Sequence, residues 1–148
     1  MNRALLCLLM AVVLLPGVAP PRMAAQAPAD EPVYVAYYWR AKPGQTAAYN
    51  EYIQTVAERI DEDARRAGVF DEVVTVTPSQ MGTSAAITDW THLRIFRLKN
   101  RAAAEGLSKG LDAATLRIVP DEAQRKRNSE RSATLRDFVR QEVWVGLR

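Results

Sequence analysis

Val33-Tyr34-Val35-Ala36-Tyr37-Tyr38-Trp39-Arg40 is the stretch on which the reading of this chain turns. Its β-branched and aromatic residues fit a pleated backbone. Apolar groups fall on both faces, which predicts a central strand covered on both sides. Lys42-Pro43-Gly44 then ends the strand, with proline suited to a first helical turn that has no use for its missing N–H. From there the period changes. Tyr49, Ile53, Val56, Ile60 and Ala64 recur at steps of four, three, four and four, widened by Tyr52 and Ala57. Arg65 and Arg66 suit the negative end of the helix dipole, and Gly68 suits the residue just beyond it. The pattern predicts a helix over 44–67.

Working outward, residues 69–77 read as a second strand centred on Val73, Val74 and Val76, and 78–89 as a Ser/Thr/Gly/Ala-rich loop. Residues 90–98 read as a third strand. Strict alternation puts Thr91, Leu93, Ile95 and Arg97 on one face and Trp90, His92, Arg94, Phe96 and Leu98 on the other. Asn100 is a candidate cap for a second helix with Ala103, Leu107 and Leu111 inward, weakened by Gly106 and Gly110. Pro120-Asp121 marks a turn or short helix. A helical period over 129–140 places Leu135, Phe138 and Val139 inward, and 142–147 reads as a last strand. The order strand-helix-strand-strand-helix-strand is the ferredoxin-like βαββαβ pattern, an α+β fold with an antiparallel four-stranded sheet. Right-handed crossovers put its first and third strands side by side in the centre.

The residues before this domain read as an export signal. Arg3 precedes an apolar run from Ala4 to Leu15, Pro16-Gly17 breaks it, and Ala24-Ala25-Gln26-Ala27 offers a cleavage site near Ala25 or Ala27. The run falls well short of the ~20 residues a spanning helix needs. This divides the chain into a signal peptide at 1–27, a flexible proline-flanked lead-in at 28–32, and one α+β domain at 33–148. Cys7 is the single cysteine and lies within the signal, so the processed chain has no disulfide, thiolate nucleophile or zinc-thiolate site. Processing also removes Arg3 and Arg22, which leaves 18 basic residues against 17 acids, a net of +1. The basic character of the whole chain is therefore no nucleic-acid signal. The expected location is periplasmic or secreted.

His92 is the only histidine. It is a candidate general base or metal ligand, with a hydrogen-bonded histidine at a dimer contact or sheet rim as the plainer alternative. On the predicted face it joins Trp90, Arg94 and Phe96, a flat apolar wall beside a cation that suits an aromatic or acidic ligand. Arg94 alternatively pairs with a carboxylate across a dimer. Tyr37 and Trp39 are candidate ligand contacts from the first strand, with packing as the plainer role, and Tyr49 and Tyr52 face them from the helix. The basic run at 124–131 has no aromatic interleaving and reads as a solvated helix edge. Asp61, Glu62 and Asp63 are consecutive on a helix and fan out, so no metal site is expected. Dinucleotide, P-loop, H-E-x-x-H, G-x-S-x-G and EF-hand signatures are absent.

With these features the chain resembles the dimeric α+β barrel superfamily, which includes antibiotic-biosynthesis monooxygenase-like, EthD-like and NIPSNAP-like proteins. The resemblance rests on Tyr37-Tyr38-Trp39-Arg40, the Lys42-Pro43-Gly44 turn, the helix bearing Tyr49 and Tyr52, and the strand containing Trp90, and spans about residues 33–148. It is closest to small exported members. It implies a homodimer whose two sheets pack face to face, with a cavity between sheet and helices. Some such relatives are cofactor-free oxygenases on polycyclic phenols, some cleave haem, and others only bind or assemble. The haem-cleaving motif of Asn, Trp and His does not align onto Asn50, Trp39 and His92. A haem-binding protein would need His92 as an axial ligand, and no cofactor is expected. The resulting expectation is an exported homodimer that binds a small aromatic or amphipathic ligand, with monooxygenase-like chemistry through His92 undecided. The alternative is a non-catalytic interaction module of the cell envelope.

Overall fold

The aromatic run folds as β1 (Val33–Ala41) and sits inside the sheet. The computed structural model describes residues 31–78 and 89–146. The export signal at 1–27 and most of the predicted loop at 78–89 lie outside the described residues. After β1 come α1 (Thr46–Tyr52), a π-helical segment (Ile53–Ala57) and α2 (Glu58–Arg66), which together form one continuous helix. Then follow β2 (Glu72–Val76), β3 (His92–Leu98), α3 (Arg101–Ile118), α4 (Glu122–Leu135) and β4 (Arg136–Val145). The strands lie in the order β2-β3-β1-β4 with every neighbour antiparallel. This is the predicted ferredoxin-like arrangement, with β1 and β3 central.

The local signals act where the sequence puts them. Gly68 has φ +74 and closes α2, its N–H donating to the Arg65 carbonyl at 3.0 Å. Asn100 caps α3, its Oδ1 accepting from the Ala103 N–H at 3.0 Å. Gly110 is a close approach rather than a weak point: a Cβ there would overlap the γ-methyls of Val69.

The helices cover one face of the sheet. Val35, Phe96 and Leu98 pack there against Ala64, Phe70, Leu107 and Ala114. Beside them, Ala41 packs with Tyr49, Tyr52, Ile53 and Leu135. The other face holds Ala36, Tyr38 and Leu93, flanked by Trp90, Ile95 and Val139, with no helical residue in the cluster. β1 is therefore central but helix-covered on one side only among the described residues, which corrects the expectation of two covered faces.

Three sequence readings shift. The helix expected over 129–140 ends at Leu135, and Phe138 and Val139 belong to β4. The last strand begins at Arg136 rather than 142, because pairing with β1 up to Ala41 outweighs the weak helical period. Val69 and Phe70 precede β2 instead of opening it, and Phe70 is 3 % exposed in the core.

Two one-residue irregularities shape the helix-covered face. The π-helical segment at Ile53–Ala57 acts as an inserted residue and turns everything after it back by roughly 100°. Asp61 thereby takes the inward position that an unbroken period assigns to Ile60, and is 5 % exposed. In β4 the pairing passes from Tyr38↔Arg140 to Trp39↔Phe138, so Val139 is a bulge. The bulge flips the alternation. Arg140, Glu142 and Trp144 oppose Tyr38, Ala36 and Tyr34 on the helix-free face, whereas Arg136 opposes Ala41 on the covered one.

Candidate functional site

The strand register decides which of the predicted site residues meet. Val33↔Leu98, Val35↔Phe96, Tyr37↔Arg94 and Trp39↔His92 alternate along the helix-covered face. Tyr37, Trp39, His92, Arg94 and Phe96 thus share one surface, as strand alternation requires. Trp90 does not share it. It precedes β3, where alternation no longer holds, and stacks edge-on to Tyr38 on the helix-free face at 5.7 Å. The expected Trp90-His92-Arg94-Phe96 wall is corrected accordingly.

The five residues on the shared surface have different surroundings. Phe96 is core, edge-on to Tyr37 at 5.8 Å and to Phe70 at 5.0 Å. Tyr37 lines a cavity of about 710 Å³ between β1, β4 and α3, together with Val33, Val35, Val143 and Val145. Arg94 is buried and ion-paired with Asp61 of the same chain, and its Nε donates to Thr75 Oγ1 at 3.3 Å. A partner from a second subunit is not needed. Burial pushes the Asp61 carboxyl up from its ordinary value, and the Arg94 guanidinium pulls it back.

His92 is 1 % exposed, with both ring nitrogens engaged. Nδ1 lies 2.8 Å from Thr91 Oγ1 and Nε2 lies 2.7 Å from Asn50 Oδ1. A neutral ring satisfies both contacts when the Thr91 hydroxyl donates to Nδ1 and Nε2–H donates to the Asn50 carbonyl oxygen. Burial, and secondly the charge of Arg136, push the imidazole below its ordinary value of 6.5, in keeping with that neutral form. The Tyr49 ring stands 4.5 Å from the imidazole, between it and Arg136.

Arg136, which the sequence reading placed inside a helix, gives this end of the sheet its charge. Its guanidinium lies 3.5 Å over the Trp39 ring and 5.2 Å from Tyr49. Nη1 donates to the Tyr49 hydroxyl at 2.6 Å, and Nε to Ser132 Oγ at 3.0 Å. The Tyr49 hydroxyl is raised by burial and lowered by Arg136. Among the described residues Arg136 forms no ion pair, while Arg94 does. Arg136 and Trp39 line a cavity of about 610 Å³ bounded by α1–α2, the end of α3, α4 and the start of β4. Tyr52, Val56 and Ile60 supply its apolar side, and Asn128, Ser129 and Ser132 its polar side. The signal for Arg136 in the sequence was the strand-like run after Leu135, with Phe138, Val143 and Val145.

The helix-free face carries its own network around Glu142. Its carboxylate accepts from the Tyr38 hydroxyl at 2.9 Å, from Trp144 Nε1 at 3.0 Å and from Arg140 Nε at 2.8 Å. The Arg140 bond, followed by the others, holds the carboxyl below its ordinary value. Arg140 also reaches both Asp89 oxygens at 3.0 Å and lies 3.8 Å over the Tyr38 ring. Around this network Val74, Val76 and Trp144 stay 43, 38 and 37 % exposed. No group of His, Cys, Asp and Glu residues suited to a metal occurs among the described residues, and no described helix is long and apolar enough to cross a membrane.

No model of a known family matches the sequence, and no curated protein matches it. Solved structures match the fold. A NIPSNAP family protein of unknown function from Agrobacterium tumefaciens superposes with a TM-score of 0.50 at 13% identity, over 80% of this chain and 91% of that one. HapK from Hahella chejuensis gives 0.48 at 12% identity, over 78% and 92%. An ethyl tert-butyl ether d (EthD) family protein from Bacillus halodurans gives 0.42 at 10% identity, over 79% and 99%. At such identities the likeness concerns the backbone alone. Strand order, helix placement and the NIPSNAP-family superposition together show that the chain has a ferredoxin-like α+β fold.

Proposed function

We propose that the processed chain is an exported homodimer that binds a small aromatic or amphipathic molecule in the cavity walled by Trp39, Tyr52 and Arg136. The observation that carries this is the cavity itself. Its volume of about 610 Å³ falls in the range of small-molecule sites, and it joins aromatic and aliphatic walls to a few convergent polar groups. His92 lines none of the cavities described among these residues and stands behind Tyr49. Its role in this reading is to fix Asn50 and Tyr49, and the function is binding rather than histidine-based catalysis.

The homodimer rests on the helix-free face. Val74, Val76, Trp144 and the half-buried Ile95 form an apolar surface on a sheet that carries no helix there. A second copy of the same sheet, packed about 10 Å away, would bury it. The export reading rests on the N-terminal apolar run and Ala-x-Ala site.

One preparation tests all three parts. The protein is expressed with its own signal and purified from the periplasm. Intact mass should then place the N-terminus just after Ala25 or Ala27, and light scattering should give twice the chain mass. Native mass spectrometry should detect a small molecule that Trp39→Ala no longer retains. A Val76→Lys variant that stays folded but monomeric would support the sheet-to-sheet contact. A stable ligand-free monomer of the wild-type chain would overturn the proposal, and a ligand-free dimer would favour an interaction module of the envelope.

A further inference from the structure

This inference rests on the binding reading above and concerns the charge of the occupant. Of the cavity's charged groups, Arg125 is taken up locally. Its Nη1 donates to the Val119 and Pro120 carbonyls at 2.9 and 2.6 Å, which closes the end of α3. Asp112 lies on the α3 side and is exposed. Arg136 remains. A guanidinium has five N–H donors, and among the described residues those of Arg136 meet only two acceptors, both uncharged hydroxyls. No described buried side-chain nitrogen lacks a partner, so the remaining donors lie at the cavity surface. Trp39 covers the flat face of the guanidinium and fixes its plane. What stays open is its edge, the geometry that grips a planar two-oxygen acid.

We infer that the cavity takes a small aromatic carboxylic acid, its carboxylate forked by Arg136 beside Ser132 and its ring laid against Tyr52, Val56 and Ile60. The charged lining of Arg125, Arg136 and Asp112 carries a net +1, which favours a singly charged carboxylate over a doubly charged phosphate ester. Asp112 on the α3 side repels the acid end and so orients the molecule toward Arg136. The apolar residues of the π-helical segment and of α2 provide a wall long enough for a ring system and offer no competing cation.

The test compares naphthalene-2-carboxylate with its neutral counterpart naphthalene-2-carboxamide, by calorimetric titration into the purified processed protein at pH 7.5. The carboxylate should bind at least tenfold more tightly. The two should bind equally in Arg136→Gln, and part of the preference should return in Arg136→Lys. A second readout needs no variant. His92 is the chain's only histidine, and its imidazole is held down partly by the Arg136 charge, so its proton NMR titration should move upward with the carboxylate bound and stay in place with the carboxamide. Equal binding of the two probes to the wild-type protein would overturn the acid assignment and leave the binding reading standing. So would a carboxylate preference that survives in Arg136→Gln with an unmoved imidazole. Failure of both probes to bind at millimolar concentration would overturn the inference and the binding reading together.

Discussion

The two ends of the helix-covered face each hold an arginine on the sheet, and the fold treats them in opposite ways. Arg94 is 8 % exposed and meets the carboxylate of Asp61, so its charge is cancelled inside the chain. Arg136 is half-buried, stacked on Trp39, and meets only hydroxyls. A cation removed from water needs compensation, and the closer it is to full burial the less the fold can leave to solvent. The Arg94 end is therefore complete as folded, whereas the Arg136 end keeps an unmet charge beside an open volume. His92 and Tyr49 stand between them, neutral and hydrogen-bonded.

The two ends should therefore respond differently to change. The largest effect belongs to Asp61→Asn, which leaves a buried guanidinium uncompensated and should lower unfolding free energy by about 3–5 kcal/mol in urea titrations. Replacing both partners, Asp61→Leu with Arg94→Met, should recover most of that loss. A double variant as unstable as the single one would mean that the pair does more than cancel charge. Next comes pH. The folded imidazole of His92 lies below 6.5, so the unfolded chain takes up the proton first as pH falls. The stability this group contributes above pH 6.5 is then lost as pH drops through its folded value. Urea midpoints measured between pH 7.5 and 5.5 should fall less steeply in His92→Gln than in the wild type. The smallest change is expected for Arg136→Gln, at about 1 kcal/mol, since two hydroxyl bonds and a cation–π contact are at stake. A loss as large as that of Asp61→Asn would erase the distinction between the ends.

Much of the architecture was legible in the sequence because it is written in period. The run from Val33 to Arg40 reads as the central strand it is. The stripe through Tyr49, Ile53 and Ala64 is buried or core-facing, and Gly68 and Asn100 end and begin helices where expected. Alternation along β3 correctly joined His92, Arg94 and Phe96, to which the strand register adds Tyr37 and Trp39. It failed at Trp90 because the strand begins only at His92. The decisive charges escaped for a related reason. Asp61 looked like one of three acids fanning out from a helix, since a uniform 3.6-residue period carries no trace of a π turn. Arg136 looked helical because Leu135, Phe138 and Val139 happen to fall at steps of three and one. Pairing with β1, a contact made across nearly a hundred residues, settles β4 instead.

The Val139 bulge protects the cavity from a shift in strand register. Because the extra residue bulges out, the residues on either side of it keep their faces; drawn into regular pairing instead, Val139 would oppose Trp39 and the guanidinium of residue 136 would pass through the sheet to its opposite side, with no side chain in the pocket replaced. The π turn does the same for α2: rewound as regular α-helix with no residue lost, it would swing Asp61 out toward solvent. In this scaffold the placement of both charges thus depends on how two extra residues are accommodated in its frame.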